Sequence, residues 1–243
     1  MCDYTDLKER LRLQYLDAMG IPVWKLRSQP VPAAEPAADA LPSPPGRREC
    51  EGPDEENWDR LAAEVSACTR CELHLTRTQT VFGVGNRRAT WMVIGEAPGE
   101  QEDLQGEPFV GRAGQLLNEM LRAIGLKREE VYIANILKCR PPRNRDPKPE
   151  EAAACESYLK RQIALIRPRI ILAAGRIAAQ NLLKTTETIG KLRGRVHRYE
   201  NIPLVITYHP AYLLRAPLEK RKAWQDLLLA VETLNRSPVT PSS

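Results

Sequence analysis

Nowhere in this chain do about 18 apolar residues follow one another, which excludes a helix that crosses a membrane. The opening MCDYTDLKER carries too much charge for a secretory leader, so a cytoplasmic protein is expected. Aromatic side chains are scarce, at 5% of 243 residues with two phenylalanines, and there are three histidines. Each of these beside a polar cluster is a candidate for more than packing. No G-x-G-x-x-G follows any strand-like run, so the dinucleotide fingerprint is missing. No internal repeat is present, which excludes a solenoid. The charge excess is also small: 36 Lys and Arg against 31 Asp and Glu leave +5, which admits a nucleic-acid partner without requiring one.

Against these absences stands a stretch from Trp91 to Leu117, WMVIGEAPGEQEDLQGEPFVGRAGQLL. Trp91 to Ile94 has the length of a buried strand, and Gly95-Glu96-Ala97-Pro98-Gly99 breaks it. A charged loop follows, then a helix from 112 to 124 with Leu116, Leu117, Met120 and Leu121 on one face. Ligands of open α/β sheets bind beyond the carboxyl ends of strands. Glu96 and Phe109 are therefore delivered to one candidate pocket.

Further strand-like runs cover 131–137, 170–174 and 204–207, with helices at 149–166, 176–184 and 217–234 between and after them. This alternation predicts an α/β fold, a three-layer αβα sandwich on a central, mainly parallel four-stranded sheet. The main domain is expected over 57–236, opening on a short helix from Glu56 to Cys68. Before it lie an amphipathic helical segment at 1–27, with its helix at Leu7 to Met19, and a Pro/Ala-rich linker at 28–56. A frayed tail is expected at 237–243.

Six cysteines in a chain read as cytosolic favour metal ligation or catalysis over a disulfide framework. Cys68 and Cys71 form a C-x2-C pair, Cys139 follows the second strand, and Cys155 lies on the next helix. Four thiolates suit tetrahedral zinc or a [4Fe–4S] cluster, and spacing does not choose between them. Cys2 and Cys50 stand outside this set.

GEAPGEQED at 95–103, PFVGRAGQLL at 108–117, NILKCRPPRNRDP at 135–147 and HPAYLLR at 209–215 occur in this order. Together they resemble the family 4 uracil-DNA glycosylases, the iron–sulfur members of the uracil-DNA glycosylase superfamily, over about Trp58 to Ala230. The resemblance implies excision of uracil from DNA in base excision repair, with Cys68, Cys71, Cys139 and Cys155 holding a [4Fe–4S] cluster. Ala97 stands where many members carry Gly. Since the family uses the backbone N–H there, a small side chain should be tolerated. A covalently trapping relative carries an Arg-rich insertion with a nucleophilic His after the second strand. No such insertion is present, which favours turnover.

Excision leaves a cation-like sugar and a uracil anion, after the base has been flipped from the stack. His209 is suited to donate to uracil O2. Asn135 offers the donor and acceptor that match O4 and N3–H. Phe109 offers a face on which the base can stack. Glu96 is the candidate for positioning water and stabilising the sugar cation. The backbone of Ala97 and Pro98 borders the substrate. Glu102, counted with that substrate set, and Asp103 read chiefly as loop-ordering carboxylates.

Arg140, Arg143 and Arg145 are expected to contact phosphates, and Leu213, Leu214 and Arg215 to fill the gap left by the flipped base. The expected partner is uracil-containing DNA, single- or double-stranded, bound by a monomer away from membranes, with a replication or repair protein on the N-terminal segment. The competing reading is a non-catalytic metal-cluster module that binds nucleic acid through the same pocket.

Overall fold

The structure, a computed structural model, describes residues 53–236, with side chains from Asn57 onward. The helix expected at Leu7 to Met19, most of the linker, Cys2, Cys50 and the tail lie outside the described residues. Helix α1 (Pro53–Ser66) begins inside the stretch assigned to the end of the linker. Its first residue is a proline, whose missing N–H costs nothing at that position.

The sheet has six strands: β1 (Val84–Gly85), β2 (Trp91–Gly95), β3 (Tyr132–Asn135), β4 (Ile170–Ala174), β5 (Val196–Tyr199) and β6 (Ile202–Thr207), in the spatial order β1-β3-β2-β4-β6-β5. The four inner strands run parallel, as expected. The two outer ones are antiparallel additions that correct the expected count of four. Their signal is faint for physical reasons. β1 is two residues long, and β5, VHRY, alternates exposed and half-buried positions at a sheet edge.

Residues of the inner strands point alternately to the two faces. Met92, Ile94, Ile171, Ala173, Leu204 and Ile206 join one core with Trp58 of α1, Leu159 and Ile163 of α4 (Pro149–Ile166) and Ala178 and Leu182 of α5 (Arg176–Leu183). Trp91, Val93, Ile133, Leu172, Ala174 and Val205 join the other, with Leu117 and Leu121 of α3 (Arg112–Ala123) and Leu227 and Ala230 of α8 (Lys220–Arg236). Burial on both faces explains why these strands read as continuous apolar runs.

Among the described residues there are also three short α-helices, α2 (Glu100–Gln105), α6 (Ile189–Leu192) and α7 (Pro210–Arg215), and four 3-10 turns. The charged loop after β2 thus contains a helix, closed at its end by Gly106 in the left-handed conformation at φ 77°. The chain leaves β2 towards β3 on one side, and leaves β4 towards β6 on the other. Neighbours with opposite exits make a crevice at the carboxyl ends of β2 and β4, where such folds bind ligands.

Candidate active site

That crevice holds a cleft of about 410 Å³. It is lined by Glu96, Ala97, Pro98, Gly99 and Glu102 after β2, Phe109 and Ala113 before and in α3, and Asn135 at the end of β3. Pro141, Asn144 and Arg145 from the following loop and His209, Ala211, Tyr212 and Arg215 around α7 complete it. Glu96, Ala97, Pro98, Glu102, Phe109, Asn135 and His209 are thus brought together.

Asn135 is 2% exposed, and its Oδ1 has no hydrogen-bond partner. An unpaired buried acceptor costs free energy, and a ligand that donates to it recovers that cost. Gly95 pairs with Asn135 across the parallel ladder. A Cβ at Gly95 would lie 2.4 Å from Asn135 Oδ1 and 2.7 Å from the Phe109 ring, so only glycine admits both groups. The Phe109 ring stacks on His209, with centroids 5.5 Å apart and 28° between planes.

His209 caps α7, and its Nδ1 accepts the Ala211 N–H at 3.1 Å. The ring proton must then sit on Nε2. Burial, with the nearby Arg215 charge adding to it and Glu102 opposing it, pushes the imidazole down to about 4. The ring is therefore a neutral donor at neutral pH. A Cβ on Gly175, which follows β4 at φ 101°, would approach His209 Cβ to 2.9 Å, so glycine there lets the imidazole seat against the β4 end.

The Glu96 carboxyl is raised to about 7. Burial is the main cause, and the Asp146 charge adds to it while Arg176 opposes. Asp146 and Arg176 form an ion pair at 2.6 Å beside the cleft. Neither residue stands out in the sequence, since one lies in a loop and the other opens α5, 30 positions further on.

Both oxygens of Glu102 are taken by the loop backbone. Oε2 accepts from Gly99 N–H, and Oε1 accepts from the Val110 and Gly111 N–H groups at 3.0 and 3.2 Å. Asp103 accepts twice from Thr78 N–H at 3.0 Å. The loop-ordering reading of these two carboxylates accords with their contacts.

The outer residues divide. Leu213 is 1% exposed and packs in the core, so it is not available as a wedge in this conformation, whereas Leu214 is 38% exposed. Adjacent residues of helix α7 lie about 100° apart around its axis, which sends the two to different faces. Tyr212, which that expectation passed over, is 39% exposed at the cleft and packs on Tyr208. Arg143 is exposed at φ 55°. Arg140 bonds Asn144 Oδ1 at 2.7 Å. Arg145 grips the buried Glu151 carboxylate with both terminal nitrogens, at 2.9 and 2.6 Å, so its guanidinium serves the loop as well as the cleft.

Cys68, Cys71, Cys139 and Cys155 are free thiols. Cys139 lies near Cys71 and Cys68, and Cys155 lies near Cys139 and Cys71. Burial raises the Cys139 thiol and pushes Cys155 up to about 11, while Arg77 donates to Cys139 Sγ at 3.0 Å. Among the described residues, no three His, Cys, Asp or Glu side chains converge on a site for a metal ion. Cys139 and Cys155 bracket the loop that lines the cleft.

A sequence model of the uracil DNA glycosylase superfamily matches residues 82–228. The chain is 49% identical over 170 residues to the type-4 uracil-DNA glycosylase of Archaeoglobus fulgidus, covering 67% of this chain and 85% of that protein. It is 44% identical over 194 residues to the type-4 enzyme of Saccharolobus solfataricus, covering 76% and 90%. It is 48% identical over 163 residues to that of Thermotoga maritima, covering 66% and 85%.

Proposed function

Because this chain belongs to the uracil DNA glycosylase superfamily, we propose that it is a uracil-DNA glycosylase that flips uracil out of DNA and hydrolyses its N-glycosidic bond. The observation that carries this reading is the buried, unpartnered Oδ1 of Asn135 beside the Phe109 face. Uracil supplies what that acceptor lacks: its N3–H donates to Oδ1 while its O4 accepts from the amide nitrogen.

The flipped base stacks on Phe109. As the C1′–N1 bond breaks, its electron pair moves onto uracil, and His209 Nε2–H donates to the charge that develops on O2. A neutral donor suits this task because its proton is held rather than shared with solvent. The Glu96 carboxylate orients a water towards C1′, stabilises the positive sugar and takes the proton that the water loses on attack. A carboxyl raised to about 7 is close to half ionised at neutral pH, fit to accept that proton and release it. Glu102 fixes the loop whose backbone, at Ala97 and Pro98, borders the base.

Arg140 and Arg143 meet phosphates, with Arg145 behind them, and Leu214 and Arg215 occupy the gap in the stack. Cys68, Cys71, Cys139 and Cys155 would hold a [4Fe–4S] cluster, since four free thiols match the donor set such a cluster takes. Such a cluster would tie the segments that follow α1 and β3 to α4 and would not itself react. The protein acts in the cytoplasm as a monomer in base excision repair, and its residues 1–27 contact a replication or repair protein.

Single-turnover excision on oligonucleotides with uracil opposite G, opposite A and in single strands tests the reading. Abasic sites are expected on all three. Binding without cleavage would instead identify a non-catalytic nucleic-acid module.

A further inference from the structure

Phe109 occupies the left-handed region at φ 55°, an outlying conformation for a bulky side chain that persists only where its surroundings hold it. The Arg128 guanidinium reaches the carbonyls on either side of the kink. Its Nη2 donates to Pro108 O at 2.6 Å, and Nη1 donates to Phe109 O and Asn118 Oδ1, each at 3.3 Å. From the other side, Glu102 Oε1 accepts the N–H groups of Val110 and Gly111. Carbonyls up to Phe109 and amides after it are thus pinned by opposite charges. Gly114 completes the seat, because a Cβ there would stand 1.7 Å from Phe109 O. Arg128 itself lies in the 3-10 turn Arg128–Glu130, immediately before the strand that ends in Asn135.

We infer that Arg128 is a positioning residue for base capture: it holds the Phe109 backbone in its left-handed turn so that the ring lies ready to stack on the flipped base. A charged, planar donor suits this work, since the guanidinium fork aims its N–H groups at two successive carbonyls in a fixed geometry. Glu107, Glu129 and Glu102 favour its charge against the burial that opposes it. Without the clamp the Pro108–Gly111 turn relaxes, and the ring must be ordered at the moment of binding. The inference rests on the proposed uracil-DNA glycosylase function.

The test is a double-mutant cycle in the full-length, iron-loaded protein, read by single-turnover excision from a single-stranded uracil oligonucleotide. Arg128→Met should raise the half-saturating enzyme concentration on the order of tenfold, the scale of one lost charge-assisted clamp. The maximal rate should change by less than about threefold, and affinity for the same oligonucleotide with an abasic analogue should stay within about twofold. Arg128→Lys should fall between. In a Phe109→Ala background, Arg128→Met should add nothing, because its effect runs through that ring. A purely structural Arg128 would cost as much in that background as in the wild type, and that result overturns the inference.

So does an Arg128→Met enzyme indistinguishable from an active wild type, or a failure of both Arg128 variants to fold. Absence of excision by the wild-type chain overturns the functional reading itself, and this inference with it.

Discussion

The Ala211 N–H donates to Nδ1 of His209 at 3.1 Å, which leaves Nε2 as the protonated nitrogen of a ring that lines the cleft. His209→Ala is expected to lower the single-turnover excision rate by about 10²–10³, the usual scale for a lost oxyanion donor. Affinity for uracil-DNA should change little. With the imidazole pushed down to about 4, no loss of activity from its protonation is expected between pH 6 and 9. Loss of DNA binding in the variant, instead of loss of rate, would remove His209 from the chemistry.

Glu96 predicts a pH profile with one rising limb. Acting as a carboxylate, it should give single-turnover rates that climb with a midpoint near 7 and level off above it. Asp146 pushes the carboxyl up, so Asp146→Asn should move that limb to lower pH, while Arg176→Ala should move it higher. Folding carries the same signature. A carboxyl raised above its usual 4.5 stabilises the fold fully below that value, and the contribution is lost as pH rises through about 7. Glu96→Gln should therefore flatten the rate profile and weaken the decline of Tm across that window. An unchanged profile in Asp146→Asn would mean that the pair does not act on Glu96.

Asn135 should set the choice of uracil over cytosine. Cytosine presents an N4 donor and a bare N3 acceptor, so a fixed Asn amide faces it with like groups. Asn135→Asp should cut uracil excision and lower the uracil-to-cytosine ratio of single-turnover rates by about tenfold or more, the scale of one unpaired buried group. A ratio that stays put, with iron and fold intact, would place specificity elsewhere.

Adjacent leucines of α7 should behave differently. Leu213→Ala empties a core position and should cost about 2–5 kcal/mol in unfolding measurements. Leu214→Ala and Arg215→Ala should leave stability near wild type and weaken excision from duplex much more than from single strands, because only a duplex must be unstacked. Equal losses on both substrates would assign these two residues to packing.

The cysteine group predicts a brown protein when purified anaerobically, with about four irons per chain. Cys139→Ala and Cys155→Ala should lose iron and lower Tm, since ligand binding energy is folding energy. Cys2→Ala and Cys50→Ala should do neither. Stoichiometric zinc without iron would replace the cluster with a different metal site.

The inner strands were legible in the sequence because burial on both faces leaves them little but Trp91–Ile94, Ile170–Ala174 and similar apolar runs. The glycine-broken ends after them marked where a site would form, and the motif order placed Glu96, Phe109, Asn135 and His209 around it. The strands and their glycine-broken ends are local properties, written in residue type and spacing, whereas the four site residues are what the resemblance implies. The edge strands, the six-residue helix α7 and the different burial of Leu213 and Leu214 depend on neighbours distant in the chain, and periodicity over so few residues does not register them.

Sequence alone therefore determined the layers of the fold and named the candidate residues of the site. Tertiary structure decided which atoms are free to react. It set Asn135 Oδ1 unpaired against Gly95, left the His209 proton on Nε2, committed Arg145 to Glu151 and raised Glu96 by burial with Asp146 adding to it. Hydrogen-bond partners and desolvation arise only when segments far apart in the chain are brought within a few ångströms. A carboxylate in the sequence is a type of residue; only its surroundings make it a base.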